Sequence, residues 1–250
     1  MNARPLLAGL CAGALLAACQ STPPIVSAHF PPAGVPLTVG FLVFEDVFNS
    51  EVTAPLDVLQ HASLRDEVPW TTLVVGPSTE PITSFEGLTI TPDVGFADCP
   101  RLDVLVVPSG NNNLGSDLED RALIDFIAER AATAQLVMSH CDGAFLLAEA
   151  GLLDDHQATT YPGDRETLAE RYPAILVRDD VHFVHDRQRL TSVGGIPSYE
   201  PALYLVQKLY GEDLANDIAR GLVIDWDLAD VPFAGPRPLP KKRLGFSLIF

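Results

Sequence analysis

The sequence predicts a single-domain α/β fold, a three-layer sandwich with helices on both faces of a mostly parallel sheet. Three observations carry that expectation. Continuous apolar runs such as "PLTVGFLVF" (residues 36–44) and "LDVLVV" (102–107) read as strands buried on both faces, because a strand with one wet face alternates instead. Segments with apolar residues three and four apart separate these runs, which is the βαβ rhythm of a parallel sheet. No composition break or internal repeat divides the chain, and 250 residues, 47% of them hydrophobic, suffice for one core.

The elements follow in order. A first strand over 36–44 leads to a helix over 51–62, where Val52, Leu56 and Leu59 share a face. "TTLVVG" (71–76) is a second strand, and "ITSFEGLTITPD" (82–93) reads as a hairpin turning at Gly87. Residues 102–110 form a third buried strand that ends in a tight loop. "DLEDRALIDFIAERAA" (117–132) is one amphipathic helix with Leu118, Leu123, Phe126 and Ile127 on its inner face. "AQLVMSH" (134–140) is the next strand and "GAFLLAEAGLL" (143–153) the helix after it. Residues 174–195 read as short strands with a turn near Asp186, followed by helices in 199–211 and 212–224. The sandwich is expected to occupy residues 36–228.

The termini have different expectations. Arg4 precedes an apolar run over 6–18 that is too short to span a bilayer, so residues 1–18 read as a signal peptide. The run ends in "LAAC" (16–19), which resembles the bacterial lipobox. That resemblance implies cleavage before Cys19, lipidation of its thiol and, with Gln20 following, an outer-membrane anchor facing the periplasm. Residues 19–35, rich in Pro and small residues, read as the lipidated tether. Residues 229–250 form a Pro-rich tail outside the sandwich, basic at Lys241, Lys242 and Arg243, whose last residues "FSLIF" (246–250) are expected to pack on this domain or on a partner subunit.

Charge and spacing exclude several function classes. A formal charge of −17 argues against a nucleic-acid partner, since phosphate binding needs a basic surface. Membrane contact is expected only through the lipid. No glycine-rich phosphate loop and no zinc-like spacing of Cys, His and acids is present, so no metal and no cofactor is expected. His182 and His185 are three apart in a strand and point to opposite faces, which makes them a poor metal pair. Trp70 and Trp226 read as core. In the exported chain Cys99 and Cys141 are expected as free thiols.

The chemistry points to the corner "SHCDG", residues 139–143. In an open parallel sheet, ligands bind beyond the carboxyl ends of the strands. Cys141 falls there, between a strand and a helix, and Gly143 permits the tight turn. A cysteine at a helix N-terminus is expected to have its thiol pKa lowered by the dipole. Local sequence leaves two readings open, a held nucleophile or a small buried hydrophobe. Backbone N–H groups at Ser109, Gly110 and Asn111 end a neighbouring strand and could face the same crevice. Glu51 opens the first helix, either as an acid reaching that crevice or as an ordinary N-terminal acid favoured by the dipole. His140 is a weaker candidate, and Asp164 looks like a helix start.

The segments "GFLVFEDVFNSEVTAPLDVL", "DVLVVPSG", "SHCDGAFLLAEAGLLDD", "ATTYPGD" and "LTSVGG" resemble the ThiJ/PfpI superfamily in order and spacing, from about Pro36 to about Asp227. The run C-x-G-A-F-L-L-A-x-A-G-L-L is similar to its isonitrile hydratase-like branch. The resemblance implies a class I glutamine amidotransferase-like fold with a flavodoxin-like sheet and a cysteine nucleophile elbow. It implies Cys141 as nucleophile, contacted by Glu51, the acid four residues before Pro55. It also implies an oxyanion N–H from Gly110, with Ser109 in place of a more usual glycine; in the enzyme reading the Asp142 N–H is expected to join it. A homodimer acting on a small electrophilic molecule, as hydratase or hydrolase, is expected. Two residues depart from the pattern. Tyr161 stands where many members carry a histidine, and Asp142 stands where the isonitrile hydratase-like branch carries threonine. These departures keep two alternatives open: a stress-responsive protein with an oxidisable Cys141, or a binding member of the fold without catalysis.

Overall fold

The computed structural model describes residues 28–235. The residues expected to form the signal peptide, the lipidated Cys19 and the basic end of the tail lie outside the described residues. The chain runs β1 (Leu37–Leu42), α1 (Asn49–Ser63), β2 (Trp70–Gly76), β3 (Ile82–Thr83), β4 (Thr89–Ile90), β5 (Val94–Gly95) and β6 (Val104–Val107). It continues through α2 (Ser116–Glu119), α3 (Arg121–Ala131), β7 (Leu136–His140), α4 (Gly143–Glu149), β8 (Gln157–Ala158), α5 (Arg165–Arg171) and β9 (Leu176–Val177). It ends with β10 (Phe183–Asp186), β11 (Arg189–Ser192), α6 (Tyr199–Tyr210), α7 (Glu212–Gly221) and β12 (Phe233–Ala234).

Eight strands form the central sheet in the order β12-β10-β11-β7-β6-β1-β2-β5. Only β10 and β11 pair antiparallel; every other pairing is parallel. The central strands β1, β6 and β7 are mostly apolar because helices cover both faces: Phe41, Leu105, Val106, Leu136 and Met138 have no exposed surface. Trp70 and Trp226 are buried. This is the single-domain sandwich that the apolar runs predict.

Three local differences from the sequence reading have physical causes. The helix expected over 117–132 is broken at Asp120, whose carboxylate accepts the Ala122 and Leu123 N–H groups at 3.0 and 3.1 Å and so caps α3. The C-terminal tail is not all outside the fold, since Phe233 and Ala234 pair with β10 and extend the sheet. Residues 28–31 likewise dock rather than tether. The His29 N–H donates to the Arg187 carbonyl at 2.7 Å, and the Phe30 ring packs edge-on against His185.

The topology sends the carboxyl ends of β1, β6, β7 and β11 to one edge of the sheet. The segments leaving those strands carry Glu51, Ser109, Cys141 and Gly195, and Tyr161 and Asp164 follow β8.

Candidate active site

Cys141 follows β7 directly and has φ = 52°, the left-handed region that a side chain rarely adopts. Two hydrogen bonds and two close glycine approaches hold that strained corner. The Cys141 N–H donates to the Ser192 carbonyl at 3.0 Å. The Thr160 hydroxyl lies 2.9 Å from the Cys141 carbonyl. Gly143 then lets the chain pass close to β6, where a Cβ would lie 2.4 Å from the Val107 carbonyl oxygen. Gly194 presses against the corner from β11, and a Cβ there would meet the Cys141 Cβ at 2.3 Å. The strand, the turn and both glycines thus present the sulfur at the floor of a cleft of about 510 Å³.

Glu51 lies in the first turn of α1 and is only 3% exposed. Pro55 sits inside that helix and has no N–H to return to the Glu51 carbonyl. The Glu51 carboxyl accepts the Ser109 N–H at 2.8 Å and the Ser109 hydroxyl at 2.6 Å, both on Oε2. It also hydrogen-bonds the Cys141 thiol and the Gly195 N–H. Of the two readings of Glu51, the crevice acid is the one observed. Burial pushes its carboxyl above the ordinary value, and the hydrogen bonds offset part of that rise.

The thiol departs from expectation. Burial, and then the charges of Glu51 and Asp142, push Cys141 well above an ordinary thiol; the donors Ser109 and the Asp142 N–H pull the other way. The lowered thiol pKa expected from a helix dipole is therefore overruled by burial and two carboxyls, and α4 is only 7 residues long. Both members of the Cys141–Glu51 dyad are harder to ionise than they would be in water. When such a pair holds a single proton, either member can carry it. The Ser109 hydroxyl reaches both, so it can turn its single proton toward whichever member carries the charge.

The remaining candidates divide. The Gly110 N–H, expected to face the crevice, instead donates to Asn113 Oδ1 at 3.1 Å, and the Asn111 N–H donates to the Asp46 carbonyl. Of the expected oxyanion pair only the Asp142 N–H points to the sulfur. His140 is fully buried with Nδ1 2.8 Å from Ser192 Oγ, and burial lowers its pKa to about 3, so it is neutral and turned away from the cleft. Tyr161 and Asp164 both line the cleft. The Asp142 side chain does not cap α4. It accepts the Thr160 hydroxyl at 2.7 Å and hydrogen-bonds Asp164 and Asn113, and burial with the nearby Asp164 raises its pKa to about 6. Cys99 and Cys141 are both free. His182 pairs with Glu200 at 2.9 Å and His185 with the Tyr204 hydroxyl at 3.1 Å, away from the cleft.

Sequence reasoning missed Asn113, Thr160 and Gly195, which orient the dyad and its neighbours. Thr160 and Gly195 lie in "ATTYPGD" and "LTSVGG", segments that carry the resemblance but assign neither residue a role, and Asn113 lies beyond the quoted segments. Ser109 was singled out for its N–H, and its hydroxyl proves as important.

The profile of the DJ-1/PfpI family matches residues 37–208. An isonitrile hydratase of Pseudomonas putida is 40% identical over 183 residues, 72% of this chain and 75% of that protein. A helix-turn-helix transcriptional regulator of Pseudomonas aeruginosa is 25% identical over 193 residues, 76% of this chain, which spans only 51% of the regulator. A crystal structure of a ThiJ/PfpI family protein from Pseudomonas syringae superposes with a TM-score of 0.69 at 28% identity, covering 78% of each chain.

Proposed function

The chain belongs to the DJ-1/PfpI family, and from that premise we propose that it is a cysteine-dependent hydratase or hydrolase of small electrophilic molecules, with isonitrile-like carbon as its substrate chemistry. One observation carries this reading: the Cys141 thiol sits at the floor of a cleft, hydrogen-bonded to a buried Glu51 whose carboxyl is held up in pKa. Such a pair delivers a nucleophile and a proton at the same carbon.

For an isonitrile the steps balance through that one proton. The sulfur bonds the terminal carbon while the Glu51 carboxyl protonates it, giving a thioimidate. Water then adds to this carbon, and Glu51 passes one of the water protons to the nitrogen. The carbon–sulfur bond breaks as the hydroxyl becomes a carbonyl and returns its proton to Glu51, releasing an N-substituted formamide and restoring the dyad. The Asp142 N–H supports the sulfur as it leaves. In this proposal the protein acts as a homodimer tethered through a lipidated Cys19 at the periplasmic side.

Cys141→Ala is the test, against a panel of isonitriles, nitriles and methylglyoxal. Turnover is expected to fall to background, a loss on the order of 10³-fold or more. Full turnover in the variant would end the proposal.

A second reading rests on the observation that, among the described residues, no histidine lines the cleft. A thiol without such a partner suits a stress-responsive protein in which peroxide oxidises Cys141 to a sulfinate, two oxygens gained and two peroxides reduced to water. Intact mass after mild peroxide separates this reading from the first, since it requires that addition to localise to Cys141.

A further inference from the structure

The cleft over Cys141 is lined by acids without a base. Among the described residues its ionisable walls are Glu51, Asp142, Asp164, Tyr161 and Cys141 itself, and no Lys, Arg or His joins them. Glu51 is turned inward onto Ser109, Cys141 and Gly195. Asp142 and Asp164 meet carboxyl to carboxyl, and Asp142 is anchored behind by Thr160 and Asn113. Two carboxyls in that contact share a proton or repel one another.

The nearest arginine does not relieve them. Arg165, next in sequence to Asp164, donates to the Asp179 and Val181 carbonyls at 2.7 and 2.8 Å and so points away from the cleft. Arg178 is engaged by Asp180. Tyr161, 50% exposed, also lines the cleft, while Phe48, Val193 and Pro197 supply apolar wall. An anion entering this space loses hydration and meets carboxyls that no cation among the described residues lining the cleft offsets. A cation meets the same carboxyls favourably and gains an aromatic face.

We infer that the cysteine cleft selects electrophiles carrying a protonated amine or quaternary ammonium group over anionic ones, with Asp164 as the residue that sets the preference. The inference rests on the reading of Cys141 as the reactive group of this cleft. It adds the charge class of the substrate, which the isonitrile chemistry alone leaves open.

The test uses three methanethiosulfonate reagents of one size class, bearing trimethylammonium, sulfonate or no charge. Each transfers its thioalkyl group to the Cys141 sulfur and releases methanesulfinate, and peptide mass localises the adduct. At about 0.5 M salt, screening over roughly 4 Å removes most of the long-range pull of the acidic surface. All reagents see the same thiolate fraction, so their rate ratio reports the cleft and not the thiol pKa. The cationic-to-anionic ratio, relative to that of a free thiol, is expected to be on the order of tenfold or more. Asp164→Asn is expected to bring it below about threefold, and Asp142→Asn, as the second variant, to lower it in the same direction. A wild-type ratio equal to that of a free thiol, or one that both variants leave unchanged, overturns the inference. Failure of the catalytic reading shows separately, as turnover that survives Cys141→Ala while the ratio stands.

Discussion

At the scale of single residues, the sequence made the dyad legible and left its support obscure. Cys141 and Glu51 stand out because a strand end, a glycine two residues on and an acid at a helix start are local signals. Their electrostatics were not legible, since burial and the approach of Asp142 depend on the folded neighbourhood. Asp142 illustrates this. Its carboxyl is held at about 6 in the fold, against roughly 3.9 in an unfolded chain. The native state therefore binds that proton more tightly, and ionising it costs stability as pH rises from about 4 through about 6. Asp142→Asn is expected to raise Tm by a few degrees near neutral pH, and the advantage is expected to vanish below about pH 4, where wild type is protonated in both states. Thermal melts at the two pH values check it, and an equal shift at both would refute the assignment.

At the scale of elements, the long periodic segments read correctly and the boundaries did not. β1, β6, β7 and α1 announce themselves through apolar runs or helical spacing. The break between α2 and α3 turns on one capping carboxylate, Asp120, inside an otherwise continuous amphipathic pattern. β12 is two residues long and is a strand only because β10 lies beside it. The strand–turn–helix corner is itself an element with strict steric demands. Gly194 has φ = 80° and no room for a Cβ beside Cys141, whereas Gly211 has φ = 95° with no atom within 4 Å. Gly211→Ala is expected to cost about 1 kcal/mol of backbone strain and to leave Cys141 alkylation unchanged. Gly194→Ala is expected to cost about 1–3 kcal/mol more and to change the alkylation rate, because the corner must shift. Melting temperature and iodoacetamide kinetics on the two variants give the comparison, and equal behaviour would show that the close approach does not shape the corner.

At the scale of the whole molecule, the sheet order explains why a site drawn from residues 51, 109, 141 and 195 forms at all. The loops after β1, β6, β7 and β11 leave the same edge of the sheet, so distant segments converge where no local pattern predicts it. The consequence is a thiol and a carboxyl that titrate together inside one protein wall. The alkylation rate of Cys141 against pH, in wild type and in Glu51→Gln, tests this coupling most directly. Wild type is expected to show a low partial plateau through neutral pH, where one proton is shared, and to reach full thiolate reactivity only at higher pH. Glu51→Gln removes the like charge and the second titrating group, so a single transition at lower pH is expected. Superimposable profiles, or a midpoint that moves upward in the variant, would contradict the shared-proton dyad.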